Sequence, residues 1–356
     1  MIRSFLVAAV IVASACGGSA QPVATAAPSA PASAAPTAQP TVARLPVRIS
    51  VAADSLSYID AWTSKGADSF TKSGLDVTWL PSIPDAAQTM ALLINGQTDI
   101  VDINVSGPLA AVQADRDVVF FAGGPIGFTN YITMSKSKAD ELAKTGVTPS
   151  SPIDARLKAL RGLQIGTGSA GGPGEVNLRK ALQTVGMDMD KDVKISSGQP
   201  DPQLAAFRAG RLDVIIGSVP NAMIPQLDGT GVLWVSGPSG DVTAWNKGYN
   251  LAWVTTSAYA KSNPEVLRRV INGLQMTSDL IAKDPDAAAK ALRLKFPDLD
   301  EKVFKASFDV AKKAYIVDPK LKTSVMQDTI DSYNTATTAK IAKKPSDFVP
   351  AGFLAP

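Results

Sequence analysis

The sequence contains no histidine, and its 356 residues include a single cysteine, Cys16. Without an imidazole, Ser-His-Asp and Cys-His catalysis lose their base. Without imidazole or paired thiols, the usual zinc sites are excluded too. One thiol forms no disulfide within a single copy. Carboxylate and lysine chemistry stay open. Charge of either sign is modest: 35 Lys and Arg stand against 32 Asp and Glu, a formal net charge of +3. That balance gives no electrostatic ground for nucleic acid as a partner. The densest basic cluster, Lys340, Lys343 and Lys344, reads as a solvated tail helix.

What the chain does have is apolar residues at 45%, enough for a real core, and length enough for two lobes. Residues 1–15 have the parts of a secretory signal: Arg3, then a short apolar run over 5–13, too short to span a bilayer. Ala13, Ser14 and Ala15 lead into Cys16, which Gly17 and Gly18 follow. The arrangement resembles a bacterial lipobox, with Ala13 where leucine is usual. Lipidation of Cys16 is the expectation, and an ordinary cleaved signal with an incidental cysteine is the alternative. Residues 16–45 are mostly Ala, Pro, Ser and Thr, with little that is apolar and large. Such a segment buries too little surface to offset its ordering entropy, and it reads as a disordered tether.

From residue 47 the pattern changes. Val47 to Ala52 reads as a strand, a helical stretch follows to about Thr71, Gly74 ends it, and Leu75 to Trp79 is a second strand. Strand, crossover, strand is the unit of an α/β sheet. The same plan returns with Leu163 to Gly166, a glycine-rich turn, a helix over 175–185 stopped by Gly186, and a strand over 193–196. A closer echo pairs ALLINGQTDI (91–100) with AAFRAGRLDV (205–214). Each is a helix, a glycine stop, an aspartate and a buried strand. Gly96 and Gly210 are expected as left-handed caps, and Asp99 and Asp213 as structural residues.

Ligands of open α/β sheets bind beyond the carboxyl ends of the strands. The rule selects loops 54–58 and 104–108 in one half, and 167–172 and 217–221 in the other. Facing lobes would bring all four to one cleft. The candidate ligand-binding residues are Ser55, Ser57, Tyr58, Asn104, Ser106, Thr129, Asn130, Ser169, Gly171, Gly172 and Ser218. The residues 166–171 match G-x-G-x-x-G, but Ser196, Ser197 and Gly198 stand where a dinucleotide site wants an acid. No cofactor or metal is expected. The loop reads better as a helix start open to an anion, with glycines for close approach and Pro173 in the first turn. An irregular loop without a ligand is the alternative. The candidate loops contain no arginine, which weakens the case for a strongly anionic ligand. Trp234, Trp245 and Trp253 are either cleft walls or core.

Five segments, KGADSFTKSGLDV, ALLINGQTDI, LKALRGLQIGTG, FRAGRLDV and TTSAYAKSNPEVLRRVINGL, occur in this order across residues 47–290. Together they resemble the solute-binding family of nitrate, sulfonate, taurine and thiamine-precursor importers. The resemblance implies an α/β fold: a two-lobed, periplasmic-binding-protein-like clamp of type II, each lobe a mixed, mainly parallel sheet flanked by helices. It implies lobe 1 over 46–127, lobe 2 over 128–254, and a return to lobe 1 over 255–356. Hinge-like segments fall at 130–134 and 251–255, and an exposed insertion near 146–161. After about residue 291 the chain reads as helices packing onto lobe 1.

The function implied is that of an extracytoplasmic, membrane-anchored lipoprotein. As a monomer it would capture a sulfonate-, nitrate- or pyrimidine-like molecule for an ABC permease and its ATPase. A sensory lipoprotein is an alternative. An enzyme resembling the thiamine-pyrimidine synthases is disfavoured, because those consume a histidine that this chain lacks.

Overall fold

The computed structural model describes residues 43–83, 85–314, 318–337 and 340–355. The leader, Cys16 and the expected tether lie outside the described residues. Ten strands form two five-stranded sheets. The first holds β1 (Leu45–Val51), β2 (Leu75–Trp79), β3 (Ile100–Asn104) and β4 (Val119–Gly123). The second holds β5 (Tyr131–Ser135), β6 (Gln164–Gly166), β7 (Lys194–Ser196), β8 (Val214–Gly217) and β9 (Gly231–Ser236). The tenth strand, β10 (Leu251–Thr255), returns to the first sheet, and Leu321–Lys322 pairs in parallel with Leu354–Ala355 in a small two-stranded ladder.

The sheet orders are β2-β1-β3-β10-β4 and β7-β6-β8-β5-β9. In each, parallel pairs fill one side and one antiparallel strand is inserted next to the far edge. The inserted strand is the one by which the chain arrives from the other sheet: β5 going, β10 returning. The expected α/β clamp of two mixed, mainly parallel sheets flanked by helices is therefore observed. The central strands carry near-continuous apolar runs because both faces are covered. β4, β5 and β10 are buried at every residue.

The echo between the halves is structural. Gly96 and Gly210 take φ of 67° and 71°, the left-handed region where glycine has no Cβ penalty. Asp99 accepts from the Arg48 backbone N–H at 2.8 Å, and Asp213 from that of Gln164 at 2.9 Å. Each aspartate returns its own N–H to the carbonyl of the same residue, Arg48 or Gln164. Both close the same backbone ring at a strand start, as structural residues.

Three expectations need correction. Of the segments proposed as hinges, 131–134 and 251–255 lie within the sheets as buried strands, and Asn130 stands half-buried just before β5. The crossings are the preceding stretches, which run side by side. Gly127 donates to the Gly248 carbonyl at 2.9 Å, Asn250 to Pro125 at 2.8 Å, and Phe128 to Trp245 at 3.0 Å. The supposed insertion near 146–161 contains the helix Ile153–Lys158. Leu157 and Leu160 are buried, and Arg156 is tied to the Trp234 carbonyl and to Asp241. Lys340, Lys343 and Lys344 are exposed but lie after the helix Thr323–Ala336 ends, not on a helix.

The chain beyond residue 291 does pack on the first sheet: Phe120 donates to the Phe348 carbonyl and Gly123 to that of Pro319. It also reaches further. The helix Thr323–Ala336 touches the helix Pro173–Thr184 of the second half. Trp234 and Trp253 are fully buried core, and Trp245 is buried against Phe128 with ring centroids 5.0 Å apart.

Candidate functional site

A cavity of about 520 Å³ lies between the two sheets. That is within the range of small-molecule pockets. The first half supplies Ala53, Asp54, Ser55 and Ser82 to its wall; the rest comes from the second. Ser55 follows β1, where the chain must leave the sheet. Its backbone is extended, and its hydroxyl caps the short turn Leu56–Tyr58 by accepting from Ser57 N–H at 3.2 Å. From there it reaches across the cleft. Its oxygen lies 3.3 Å from that of Ser218, and it donates to the Val219 carbonyl at 3.2 Å.

Of the candidate residues, Ser55, Asn130, Ser169 and Ser218 share this wall. The others are elsewhere. Tyr58 is buried, and burial pushes its phenol far above the ordinary range. The Ser57 hydroxyl is buried without a hydrogen-bond partner among the described residues. Asn104, Ser106 and Thr129 belong to a network at the crossing. Asn104 donates to the carbonyl and side-chain oxygens of Asn250, and Ser106 donates to Asn104 Oδ1 at 2.7 Å. Asn250 in turn donates to Thr129 Oγ1 at 2.9 Å. Asn104 and Ser106 border a second, smaller cavity of about 60 Å³, which shares only Pro173 with the first. Lys180 also borders it. Burial lowers that ammonium to about 8, and its Nζ donates to Ser332 at 2.5 Å.

Gly171 and Gly172 are set back from the wall of the large cavity. The loop is held by a side chain that sequence reasoning passed over. Glu175, in the first turn of Pro173–Thr184, folds back on it. Its carboxylate accepts from Gly171 N–H at 2.8 Å, from the Thr167 hydroxyl at 3.1 Å and from the Ser197 hydroxyl at 2.6 Å. The helix start therefore already holds a negative group of its own. A Cβ on Gly174 would run into the Thr167 carbonyl, which leaves only glycine there.

A fifth loop completes the wall. After β7 the chain runs through Gln199 into the helix Pro200–Arg208, whose two early prolines suit a first turn. Gln203 cross-links two strand ends: Gly168 N–H donates to its Oε1 at 3.0 Å, and its Nε2 donates to the Ser196 carbonyl at 2.6 Å. Asp201 accepts from Asn221 at 3.1 Å. The strand-end rule, applied to β7 as well, would have found them. Asp54 pairs with Lys295 at 2.8 Å and accepts from Ser82 at 2.6 Å. Burial pushes its carboxyl up, but the lysine and the hydroxyl outweigh that and hold it below the usual range. Lys295 is also stacked over Trp62, 4.2 Å from the ring centroid.

The wall thus offers hydroxyls, amides and carboxylates over an apolar floor of prolines, Leu204 and Ile215. Such a surface can hold and orient a small molecule. No histidine or cysteine is part of it.

The architecture has solved counterparts. The chain is similar to the alkanesulfonate-binding protein SsuA from Xanthomonas axonopodis pv. citri bound to MOPS. That match has 18% identity, covers 88% of this chain and 99% of that one, and has a TM-score of 0.66. It is similar to the periplasmic nitrate-binding protein NrtA from Synechocystis PCC 6803, at 14% identity, 85% and 73% coverage and a TM-score of 0.55. It is also similar to the desulfurization enzyme DSZB, at 14% identity, 87% and 97% coverage and a TM-score of 0.61. At these identities the likeness establishes the two-lobed fold, which serves binding proteins and an enzyme alike. No curated protein sequence is a significant match. The model of the NMT1-like family matches residues 62–294, well over half the chain, including the wall loops after β6, β7 and β8 and the returning strand β10. The chain with this interlobe cavity belongs to the NMT1-like family.

Proposed function

We propose that this protein is the extracytoplasmic solute-binding component of an ABC importer. In this reading it captures a small molecule between its lobes and hands it to a permease and its ATPase. The observation that carries the reading is the cavity walled from both halves, with Ser55 and Ser218 in hydroxyl contact across it. A ligand held by both lobes binds the closed form better than the open one and so draws the equilibrium towards closure. In this reading the lobes would divide at the paired crossings, near the expected 128 but ahead of the expected 254, which falls inside β10 of the first sheet.

Ser55, Asn130, Ser169 and Ser218 are the ligand-facing polar groups of this proposal, joined by Asp201, Gln203 and Asn221. Asn104, Ser106, Thr129, Ser57 and Tyr58 then serve the hinge and the core behind it. Gly171 and Gly172 shape the loop that presents Ser169. Binding rather than catalysis fits a chain with no histidine and with its one cysteine at position 16, outside the described residues. Lipidation of Cys16 would hold a monomeric body at the membrane surface, and structural relatives that are periplasmic binding proteins support the extracytoplasmic placement.

The test is small-angle scattering with a binding ligand present and absent. The proposal expects the radius of gyration to fall on binding. A bound protein with unchanged dimensions, or a ligand turned over to product, would oppose it.

A further inference from the structure

The cavity's charge departs from what its structural relatives bind. Among the described residues no lysine or arginine is on its wall, whereas two aspartates are. Asp54 is neutralised by Lys295. Asp201 has one neutral partner, Asn221, and among the described residues no cation pairs with it. Behind the wall loop 167–172, the helix start, the natural seat for an anion, is already capped by Glu175, and the Thr167 carbonyl closes over Gly174. A sulfonate or nitrate entering here would face the Asp201 carboxylate with no lysine or arginine on the wall to pair with it. A protonated amine would instead form a charge-assisted hydrogen bond with Asp201. Leu204, Ile215, Val219 and Pro220 line the same cavity and offer apolar surface to the body of such a molecule.

We propose that the cleft selects small amines with an apolar body and excludes sulfonates and nitrate. The inference rests on the proposed function, since it takes the interlobe cavity as the ligand site. Asp201 is the group that reads the amine; a wall without lysine or arginine rejects an anion, and Glu175 removes the helix start as its alternative seat.

The experiment is a thermal-shift and calorimetry panel in three matched classes: primary amines, the corresponding alcohols and the corresponding alkanesulfonates. All are built on the same linear, branched and aromatic bodies, with nitrate added. The proposal expects hits among the amines and none among the sulfonates or nitrate. It also expects Asp201→Asn to weaken the amine hits tenfold or more, about 1.4 kcal/mol. Hits confined to alcohols, any sulfonate or nitrate hit, or a panel without an amine hit overturns it. Gly217→Leu separates this from failure of the functional reading. Gly217 lines the cavity, and a Cβ there meets nothing within 4 Å, so the leucine fills the cavity without disturbing the backbone. Amine binding lost in Gly217→Leu, at unchanged ligand-free melting temperature, supports the cleft as the site. Amine binding that survives it shows that the amine is held elsewhere, and both readings then fall. Sulfonate binding lost in the same variant overturns the amine proposal alone.

Discussion

Ser55 and Ser218 come from opposite halves of the chain, 163 positions apart, and their hydroxyl oxygens lie 3.3 Å from each other. Ser55 also donates to the carbonyl of Val219, so one side chain reaches the strand end of the other lobe twice. This contact gives closure a chemical handle that can be removed or trapped.

Replacing Ser55 by alanine removes both contacts and the cap on Leu56–Tyr58. Each neutral hydrogen bond contributes about 1 kcal/mol net. Ligand affinity is expected to fall roughly five- to tenfold for Ser55→Ala and less for Ser218→Ala, which loses one contact. Calorimetry with any ligand of the cleft measures this. Equal affinities in both variants and the parent would remove the interlobe contact from the account.

The loop 167–172 is predicted to matter through its shape. Gly171 has φ of 67°, where a β-branched residue is strained, and a Cβ on Gly172 would approach the Ser169 carbonyl to 2.8 Å. Gly171→Val should cost about 1–3 kcal/mol of stability. Glu175→Ala, which strips three hydrogen bonds from the same loop, should cost about as much. Urea denaturation checks both. Wild-type stability in Glu175→Ala would mean that the carboxylate does not hold the loop.

Asp102 is buried in β3 with neither carboxylate oxygen hydrogen-bonded among the described residues, and Asp60 nearby accepts from Trp253 Nε1 at 3.0 Å. Burial pushes the Asp102 carboxyl well above its ordinary range, and the Asp60 charge adds to this. A carboxyl raised on folding binds its proton more tightly in the native state. Its cost is therefore absent below the unfolded value of about 4 and grows as pH rises from there towards the folded value. Asp102→Asn is expected to change little at pH 4 and to stabilise by about 1–3 kcal/mol at pH 7. Stability curves at both pH values decide it; a destabilised variant at pH 7 contradicts the assignment.

Lys180 works in the opposite direction. Its ammonium is lowered to about 8 by burial, from 10.5. The native state binds that proton less well, so the cost is full below pH 8 and fades as pH rises from 8 to 10.5. Lys180→Met should raise stability near neutral pH by on the order of 1 kcal/mol, with the gain shrinking above pH 8. Melting temperatures against pH test the trend, and a gain independent of pH would refute it.

The parts legible in the sequence were those with a local rule. Gly96 and Gly210 had to end helices, and Asp99 and Asp213 followed them at one spacing; all four took the same roles in both lobes. Strand ends after β1, β6 and β8 led to Ser55, Ser169 and Ser218. The missed parts lacked such a signal. A run such as Leu251 to Thr255 reads the same whether it crosses between lobes or lies inside a sheet, because both are apolar. Asn104 also follows a strand, but its amide is consumed by Asn250, a partner 146 positions away that no local pattern announces. Glu175 was visible only as an acidic first-turn residue, and its turn back onto Gly171 depends on the tertiary placement of Thr167 and Ser197.

The most direct test of two lobes closing on a ligand uses the Ser55–Ser218 contact itself. In a Cys16→Ser background the chain has no other thiol, so Ser55→Cys with Ser218→Cys forms the single possible intramolecular disulfide. Hydroxyl oxygens 3.3 Å apart place the two Cβ atoms close to disulfide reach in the closed form. The account predicts that a cleft ligand accelerates oxidation of this pair and that the oxidised protein no longer exchanges its ligand. A cross-linking rate indifferent to ligand, with free exchange after oxidation, would contradict it.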